Sequence, residues 1–134
     1  MNLLIRLACI IAFVFFITGC ARNVSLCTAV DEAATSITVE KRNMPVVGLN
    51  TDTDSLNFGV VSPTASVERS IKVQYSRKAD VSVKAEGDFS SWVEIDPAEF
   101  SLDGNIKKVT FTAKVPPAAE EGIYTGRMAF CFKE

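Results

Sequence analysis

The stretch GIYTGRMAFCFK, residues 122–133, decides the fold class of this chain. Its large apolar side chains share one face of an extended segment: Tyr124, Met128, Phe130 and Phe132. The other face carries Arg127, Cys131 and Lys133. Because successive side chains of a β-strand point to opposite faces, this alternation predicts a strand with one face in the core and one in water. It also points Cys131 away from the core, so a partner for its thiol has to approach from outside, as a segment lying over the last strand.

The same period of two recurs along the chain. Clear examples are VERSIKVQYS (67–76), DVSVKAEG (80–87) and KKVTFTAKV (107–115), and shorter candidates are SITVE (36–40), SLNFGVV (55–61), WVEI (92–95) and EFSL (99–102). Turn-forming segments such as SPTAS, DGN and PPAAEEG separate them. Many short strands joined by turns, with no sustained helical period after residue 20, predict an all-β domain built as an antiparallel β-sandwich. TAVDEAAT, residues 28–35, either holds a helical turn or belongs to a tether before the domain.

The N-terminal segment MNLLIRLACIIAFVFFITGC, residues 1–20, has one charge, at Arg6, followed by an apolar run over residues 7–17. A helix that crosses the ~30 Å hydrocarbon core needs about 20 apolar residues, whereas the core of a signal peptide needs about 7 to 15. The run therefore predicts a hydrophobic signal helix, residues 1–19, that is absent from the mature protein. A single-pass signal anchor and a plainly secreted product cut elsewhere stay open as alternatives.

The tetrapeptide that ends this segment, Ile17 to Cys20, resembles the bacterial lipobox, which has an aliphatic residue, two small residues and the cysteine that receives lipid. The resemblance implies a lipoprotein whose mature chain starts at Cys20 and carries acyl chains such as palmitate. It also implies an extracytoplasmic location at a membrane of the cell envelope. Two acyl chains are what stable anchoring requires, since one gives only marginal binding. We expect residues 20–35 to form a lipidated tether and residues 36–134 to form the domain.

The cysteines bear on the compartment. Cys9 would leave with the signal peptide and Cys20 would carry lipid, so Cys27 and Cys131 remain. Two thiols in an oxidising compartment are expected to form a disulfide, and two unrelated free thiols are the alternative. The chain has no histidine and two cysteines cannot complete a zinc tetrahedron, so we predict no metal and no cofactor.

Residues 55–132 resemble the immunoglobulin-like β-sandwich modules of cell-surface and ASPM/SPD-2/Hydin-type proteins. The matching positions are Leu56, Phe58 and Gly59 in an opening strand, Pro97, Phe100 and Leu102 at a corner, and Gly122, Tyr124 and Gly126 in a closing strand. The resemblance implies an antiparallel immunoglobulin-like β-sandwich, and its motifs record geometry rather than a particular function. Residues 28–54 have no counterpart in it, and SITVE either adds a strand or wraps an edge.

Catalysis is not indicated by any constellation of residues. Without histidine, Ser-His-Asp and Cys-His arrangements are excluded. The carboxylates available for acid–base work are spread along strands and corners without a sign of a cleft: Asp88, Glu94, Asp96 and Glu99. Asn50, Asp52 and Asp54 have the first spacing of a calcium loop but lack its glycine and its closing glutamate. We therefore predict that the protein is not an enzyme.

The net charge and the aromatic residues limit the classes of partner that the sequence supports. The formal net charge is −2 and the basic residues occur as isolated pairs, so nucleic-acid binding is not supported. Trp92 is interpreted as an aromatic residue that closes the end of the core rather than as a ligand contact.

Two functions from different classes fit these observations. The first is a lipid-anchored structural or binding module of the cell envelope, whose partner would be an envelope protein or a polysaccharide. The second is a subunit of a surface fibre, a homo-oligomer in which SITVE of one molecule adds to an unpaired sheet edge of the next.

The tether also predicts an orientation of the domain relative to the membrane. It would place the end of the last strand near the bilayer, and the loop PPAAEEG, residues 116–122, would face outward.

Overall fold

The computed structural model describes residues 26–41 and 55–134, which form β-strands joined by turns. The strands in these ranges are β1 Ala29–Val39, β2 Ser55–Val61, β3 Ser66–Gln74, β4 Lys78–Gly87, β5 Val93–Asp96, β6 Glu99–Asp103, β7 Ile106–Lys114 and β8 Gly122–Lys133. A 3-10 turn, Ser90–Trp92, precedes β5. No helix among the described residues is long and apolar enough to cross a membrane. The predicted signal peptide and Cys20 lie outside the described residues.

Alternation of apolar and polar side chains explains the strands. Each strand predicted between residues 55 and 133 is present, and its limits lie within two residues of the prediction. In β7, Val109 and Phe111 are buried whereas Lys114 is exposed. In β8, Phe130 is buried whereas Arg127 is exposed. The prediction of a mostly β domain is confirmed.

The strands form two sheets. The larger has the order β2-β1-β8-β4-β6 and the smaller has the order β3-β7-β5. All of these pairs are antiparallel except β1–β2, which is parallel, with Thr35 opposite Leu56. The prediction of a wholly antiparallel arrangement is therefore wrong at this pair. The 15-residue segment 40–54 between β1 and β2 is long enough to allow this pairing, since parallel neighbours need a connection of about a dozen residues or more.

The two sheets share one hydrophobic core. Phe111 of β7 meets Phe130 of β8 with ring centroids 6.3 Å apart, and Phe58 of β2 meets Phe89, which follows β4, at 5.9 Å. The largest fully buried side chains come from both sheets: Phe58, Phe89, Phe111, Ile37, Leu102, Met128, Val39 and Val109. Burying each such side chain stabilises the fold by about 1.5–3 kcal/mol, which is why the inward faces of the two sheets meet.

β1 occupies a place that the sequence did not predict. Residues 28–35 were expected in the tether, yet residues 29–35 belong to β1, which lies between β2 and β8. The predicted boundary between tether and domain is therefore wrong, because the β1–β8 ladder starts at Ala29. SITVE does form a strand, as part of β1. Residues 36–39 pair with β8 on one side and lie beside β2 on the other, within their own chain.

β2 forms one edge of the larger sheet and bends at Gly59. The β1–β2 register shifts at this point, and Gly59 has a φ of +78°, a left-handed conformation that glycine adopts without steric cost. Arg69 of β3 donates a hydrogen bond from Nε to the carbonyl of Asn57 at 3.1 Å. Its Nη2 lies 3.5 Å from the carbonyl of Phe58. Arg69 therefore joins the two sheets along this side.

The two ends of the domain differ in their residues. The tether end is where the described chain begins, and it comprises residues 26–28, 74–78, 103–107 and 132–134. The far end comprises residues 39–41, 62–66, 87–92 and 114–123. The rings of Tyr75 and Phe132 stack with centroids 4.9 Å apart, which brings the two sheets together at the tether end.

Gly126 lies where β4 and β8 come closest. It is opposite Gly87, and a Cβ added at Gly126 would lie 2.4 Å from the carbonyl oxygen of Glu86. Because that atom belongs to the backbone, alanine at this position would force the two strands apart.

We predict that Gly126→Ala lowers the free energy of unfolding by about 1–3 kcal/mol, the usual cost of overpacking. The matched control is Gly122→Ala in the same strand, where an added Cβ meets no atom within 4 Å. We expect this control to change stability by no more than about 0.5 kcal/mol. Urea denaturation followed by circular dichroism measures both, and equal losses would contradict the close approach of β4 and β8.

Thr35 of β1 provides a second test of the core. It is buried opposite Gly126, and among the described residues its Oγ1 finds no hydrogen-bond partner. Thr35→Val removes this hydroxyl at nearly the same volume, so we expect the free energy of unfolding to rise by about 1 kcal/mol. The control is Thr38→Val on the outward face of β1, which should change it little. A less stable Thr35→Val protein would mean that the hydroxyl has a partner in solution.

Candidate functional site: the disulfide corner and the tether end

Cys27 and Cys131 form a disulfide at the tether end. Their sulfurs are 1.99 Å apart. Their Cα atoms are 5.3 Å apart, a separation within the usual range for disulfides. The predicted pairing is confirmed. The face assignment in β8 is confirmed as well, because Phe130 and Phe132 are buried while Cys131 is half-buried on the opposite face.

Cys27 approaches Cys131 by another route than expected. The preceding segment was expected to lie over β8, but β1 lies beside β8 in the same sheet. The backbone N–H of Thr28 donates to the carbonyl of Phe132 at 2.7 Å, and Ala29 lies opposite Phe132. Backbone pairing of β1 with β8 therefore brings the two thiols together.

A second set of contacts holds Glu134 at the tether end. Its backbone N–H donates to Oγ1 of Thr28 at 3.2 Å, and its Oε1 accepts a hydrogen bond from the hydroxyl of Tyr75 at 2.6 Å. Arg77 forms an ion pair with the same carboxylate at 2.6 Å, and its guanidinium lies 5.6 Å from the centroid of the Tyr75 ring. The start of β1, the β3–β4 turn and the residue after β8 are thus joined on one surface.

The outer face of the larger sheet carries a row of charges across β1, β8 and β4. Arg127 donates from Nε to Oε2 of Glu86 at 2.8 Å, and its Nη1 lies 3.3 Å from a carboxylate oxygen of Glu32. The hydrogen bond that Arg127 donates to Glu86, followed by the charge of Glu32, raises the pKa of Arg127. Because these side chains are exposed, the row contributes little to stability.

A cleft of about 820 Å³ lies between the two sheets and is lined by residues of β1, β2, β3, β7 and β8. Phe130 and Phe132 line its floor, and Asp31 and Lys72 lie among its polar lining residues. A shallower depression of about 320 Å³ on the outer face adjoins the disulfide.

The carboxylates considered for acid–base chemistry do not converge. Asp88 accepts a hydrogen bond from the backbone N–H of Thr125 at 3.3 Å. Glu94 pairs with Lys114, and the hydrogen bond from that lysine lowers the pKa of Glu94. Across residues 26–41 and 55–134, no group of three or more potential metal-binding side chains comes together. The residues considered for calcium lie outside the described ranges: Asn50, Asp52 and Asp54.

Trp92 packs at the far end of the core. Its ring centroid lies 4.7 Å from that of Tyr124 and 6.3 Å from that of Phe89, and the side chain is half-buried. This position agrees with the prediction that Trp92 closes the core. The hydroxyl of Tyr124 donates to the carbonyl of Glu120 at 2.9 Å, which holds the loop before β8 against the domain. Most of this loop is exposed as predicted, but Ala119 is buried.

Sequence reasoning missed the first half of β1 and the contacts of the tether end. The inward positions Ala29, Asp31 and Ala33 are small or charged, so they carry no strand signal of the kind seen in β8. The hydrogen bond between Glu134 and Thr28 joins residues 106 positions apart, and no local pattern records it. The one available signal was the cysteine pair itself.

Comparisons of the chain with protein-family models, with curated proteins and with solved structures return no match. The resemblance to immunoglobulin-like modules therefore depends on the residues quoted for it. Function has to be inferred from the residues and contacts of this chain.

We predict that the double variant Cys27→Ala/Cys131→Ala still folds, because the β1–β8 ladder is retained, but is less stable by about 2–5 kcal/mol. The bridge joins residues 104 positions apart, so it restricts the unfolded chain strongly. Thermal denaturation with and without a reductant measures the effect. The reductant should lower the midpoint of the unmodified protein and leave that of the double variant unchanged, whereas equal midpoints would contradict a stabilising bridge.

Proposed function

We propose that this protein is a lipid-anchored extracytoplasmic module of the cell envelope with a structural or binding role. The observation that carries the proposal is the Cys27–Cys131 disulfide. Disulfides persist in oxidising compartments and are rare where thiols are kept reduced. The bridge also lies at the end of the domain from which the chain leads back to Cys20.

The proposed anchor is Cys20. The apolar run of residues 7–17 and the lipobox-like tetrapeptide before the cysteine support it. Leu26 lies six positions after Cys20, and six extended residues reach at most about 20 Å. Acyl chains on Cys20 would therefore keep the tether end within that distance of the bilayer.

We further propose that the domain is an immunoglobulin-like sandwich in which β1 takes the place of the last strand. Such domains have one sheet with strands A, B, E and D and another with strands C, F and G. The order β3-β7-β5 fits B-E-D, and the order β4-β8-β1 fits C-F-G if β1 supplies strand G from the N-terminal side. This arrangement would explain why residues 28–54 have no counterpart in the resemblance.

Two alternatives were left open by the sequence, a fibre subunit and a single-pass signal anchor. In the fibre alternative SITVE joins a neighbouring molecule, but Ile37 and Val39 are buried in the core of their own chain. The donor strand is thus already used, and the fibre alternative loses its sequence support. The single-pass signal anchor and the lipoprotein predict different masses for the mature chain, because the anchor retains residues 1–19 whereas the lipoprotein starts at an acylated Cys20.

The proposed partner is an envelope protein or a polysaccharide, and the proposed surface for it is the far end. Ile123 is 73% exposed there, next to Glu120 and Glu121. An exposed apolar side chain beside carboxylates suits a partner that offers both apolar contacts and polar donors.

We predict that intact-mass analysis of the membrane fraction finds a chain that starts at Cys20, carries acyl groups and is two hydrogens lighter than its reduced form. Cys20→Ser should abolish acylation and either release the protein or leave the uncut precursor. The matched control is Cys9→Ser, whose cysteine lies within the proposed signal peptide and whose mature mass should be unchanged. A chain that retains Met1 in the membrane would overturn the lipoprotein in favour of the signal anchor.

A further inference from the structure

The tether end and the far end carry opposite charge. Basic side chains at the tether end are Arg77, Lys78, Lys107 and Lys133, against the acidic Asp103 and Glu134. Acidic side chains at the far end are Glu40, Asp88, Glu120 and Glu121, against the basic Lys41 and Lys114. The next positions inward from the tether end are balanced, with Asp31 and Asp80 against Lys72 and Lys108. The domain therefore has a positive tether end and a negative far end.

Most of the positive charge at the tether end is available to a partner. Arg77 is neutralised by Glu134 at 2.6 Å. Within the part of the chain that the structure describes, Lys78, Lys107 and Lys133 form no ion pair with a carboxylate. Lys78 and Lys107 are exposed and belong to different sheets, so the charge is spread over the whole end.

Exposed apolar side chains accompany these lysines. Leu26 is 82% exposed beside the disulfide, and Val30 is 60% exposed on the outward face of β1. Ile106, the first residue of β7, is 59% exposed in the smaller sheet. Of the four large hydrophobic side chains that are exposed in the described residues, three thus lie at or next to the tether end. Basic residues with exposed apolar neighbours are the combination found on protein surfaces that rest on anionic membranes.

We propose that the tether end is a membrane-docking surface that lies on an anionic lipid bilayer. The inference rests on the proposed acylation of Cys20, and it adds an orientation to it. A tether of about 20 Å lets the domain touch the bilayer but also lets it lie farther away. Anionic lipids attract basic side chains only within a Debye length of about 8–10 Å, so the tether alone does not hold the domain on the membrane surface. The lysines supply the attraction that converts a nearby domain into a docked one, with Leu26, Val30 and Ile106 reaching the headgroup layer. The negative far end is repelled and faces away from the membrane.

Tryptophan quenching on vesicles tests the orientation. Trp92 is the only tryptophan of the chain and lies at the far end, so the unmodified protein reports on that end. The variant Ile106→Trp/Trp92→Phe reports on the tether end. The acylated full chain is reconstituted into vesicles of phosphatidylcholine, with or without phosphatidylglycerol, that contain a lipid with a nitroxide on its headgroup. If Trp92→Phe impairs folding, Ile106→Trp alone is read as additional quenching over the unmodified protein.

We expect strong quenching at position 106 and little at Trp92 in vesicles with phosphatidylglycerol. High salt or pure phosphatidylcholine should remove the difference. Each lysine near an anionic surface is expected to contribute about a fivefold factor. Lys78→Gln/Lys107→Gln should therefore lower the ratio of docked to undocked domains about 30-fold. Lys41→Gln/Lys114→Gln removes the same charge at the far end and serves as the matched control, with quenching unchanged or increased at position 106.

Two outcomes would overturn the docking surface. Equal quenching at both positions would mean that the domain tumbles freely on its tether, and stronger quenching of Trp92 would mean that the far end faces the membrane. Failure of the anchor is seen separately, since a chain without acyl groups does not float with pure phosphatidylcholine vesicles. An anchored protein without preferred orientation thus refutes the docking surface alone.

Discussion

The backbone ladder between β1 and β8 is the interaction on which the rest of the structure depends. It runs from Ala29 opposite Phe132 to Val39 opposite Gly122, the whole length of β1. With β4 on the other side, β8 becomes an interior strand of the larger sheet, and its aromatic side chains can be buried. Without β1, β8 would be an edge with unpaired N–H and C=O groups. The core would also lose Ile37 and Val39, which are both fully buried.

The two faces of β8 divide the roles of the larger sheet. Its inward side chains pack against the smaller sheet, as in the contact of Phe130 with Phe111. Its outward side chains carry the covalent link through Cys131 and the charge row through Arg127. The disulfide therefore reinforces a strand pairing that the backbone already makes, at the end where β1 would otherwise fray. A link at this position holds the N-terminal strand in place without disturbing the core.

The proposed function depends on the difference between the two ends of the domain. The end of the domain from which the chain leads back to Cys20 carries the disulfide, the Glu134 contacts and the lysines that form no ion pair with a described residue. The far end is negative and carries Ile123 on its surface. Under the proposed anchorage, one end would serve attachment and the other recognition. The distance between them is spanned by paired strands, so a load applied at the tether end would be carried by the β1–β8 ladder and by the disulfide.

The sequence by itself determined the strands from residue 55 onward, their inward faces and the outward direction of Cys131, because alternation is a local property that each strand carries alone. It also led to the pairing of Cys27 with Cys131, since only two cysteines were left for an oxidising compartment. Only the tertiary structure decided that Ala29 to Thr35 form a strand and that β1 runs parallel to β2. It also decided that Arg69 and Glu134 contact residues far away in the chain, and that Lys78, Lys107 and Lys133 lie at one end of the domain. Those features depend on contacts between residues far apart in the chain. Most side chains from Ala29 to Thr35 are small or polar and form no strand pattern of their own. The position of this segment follows instead from its backbone pairing with β8.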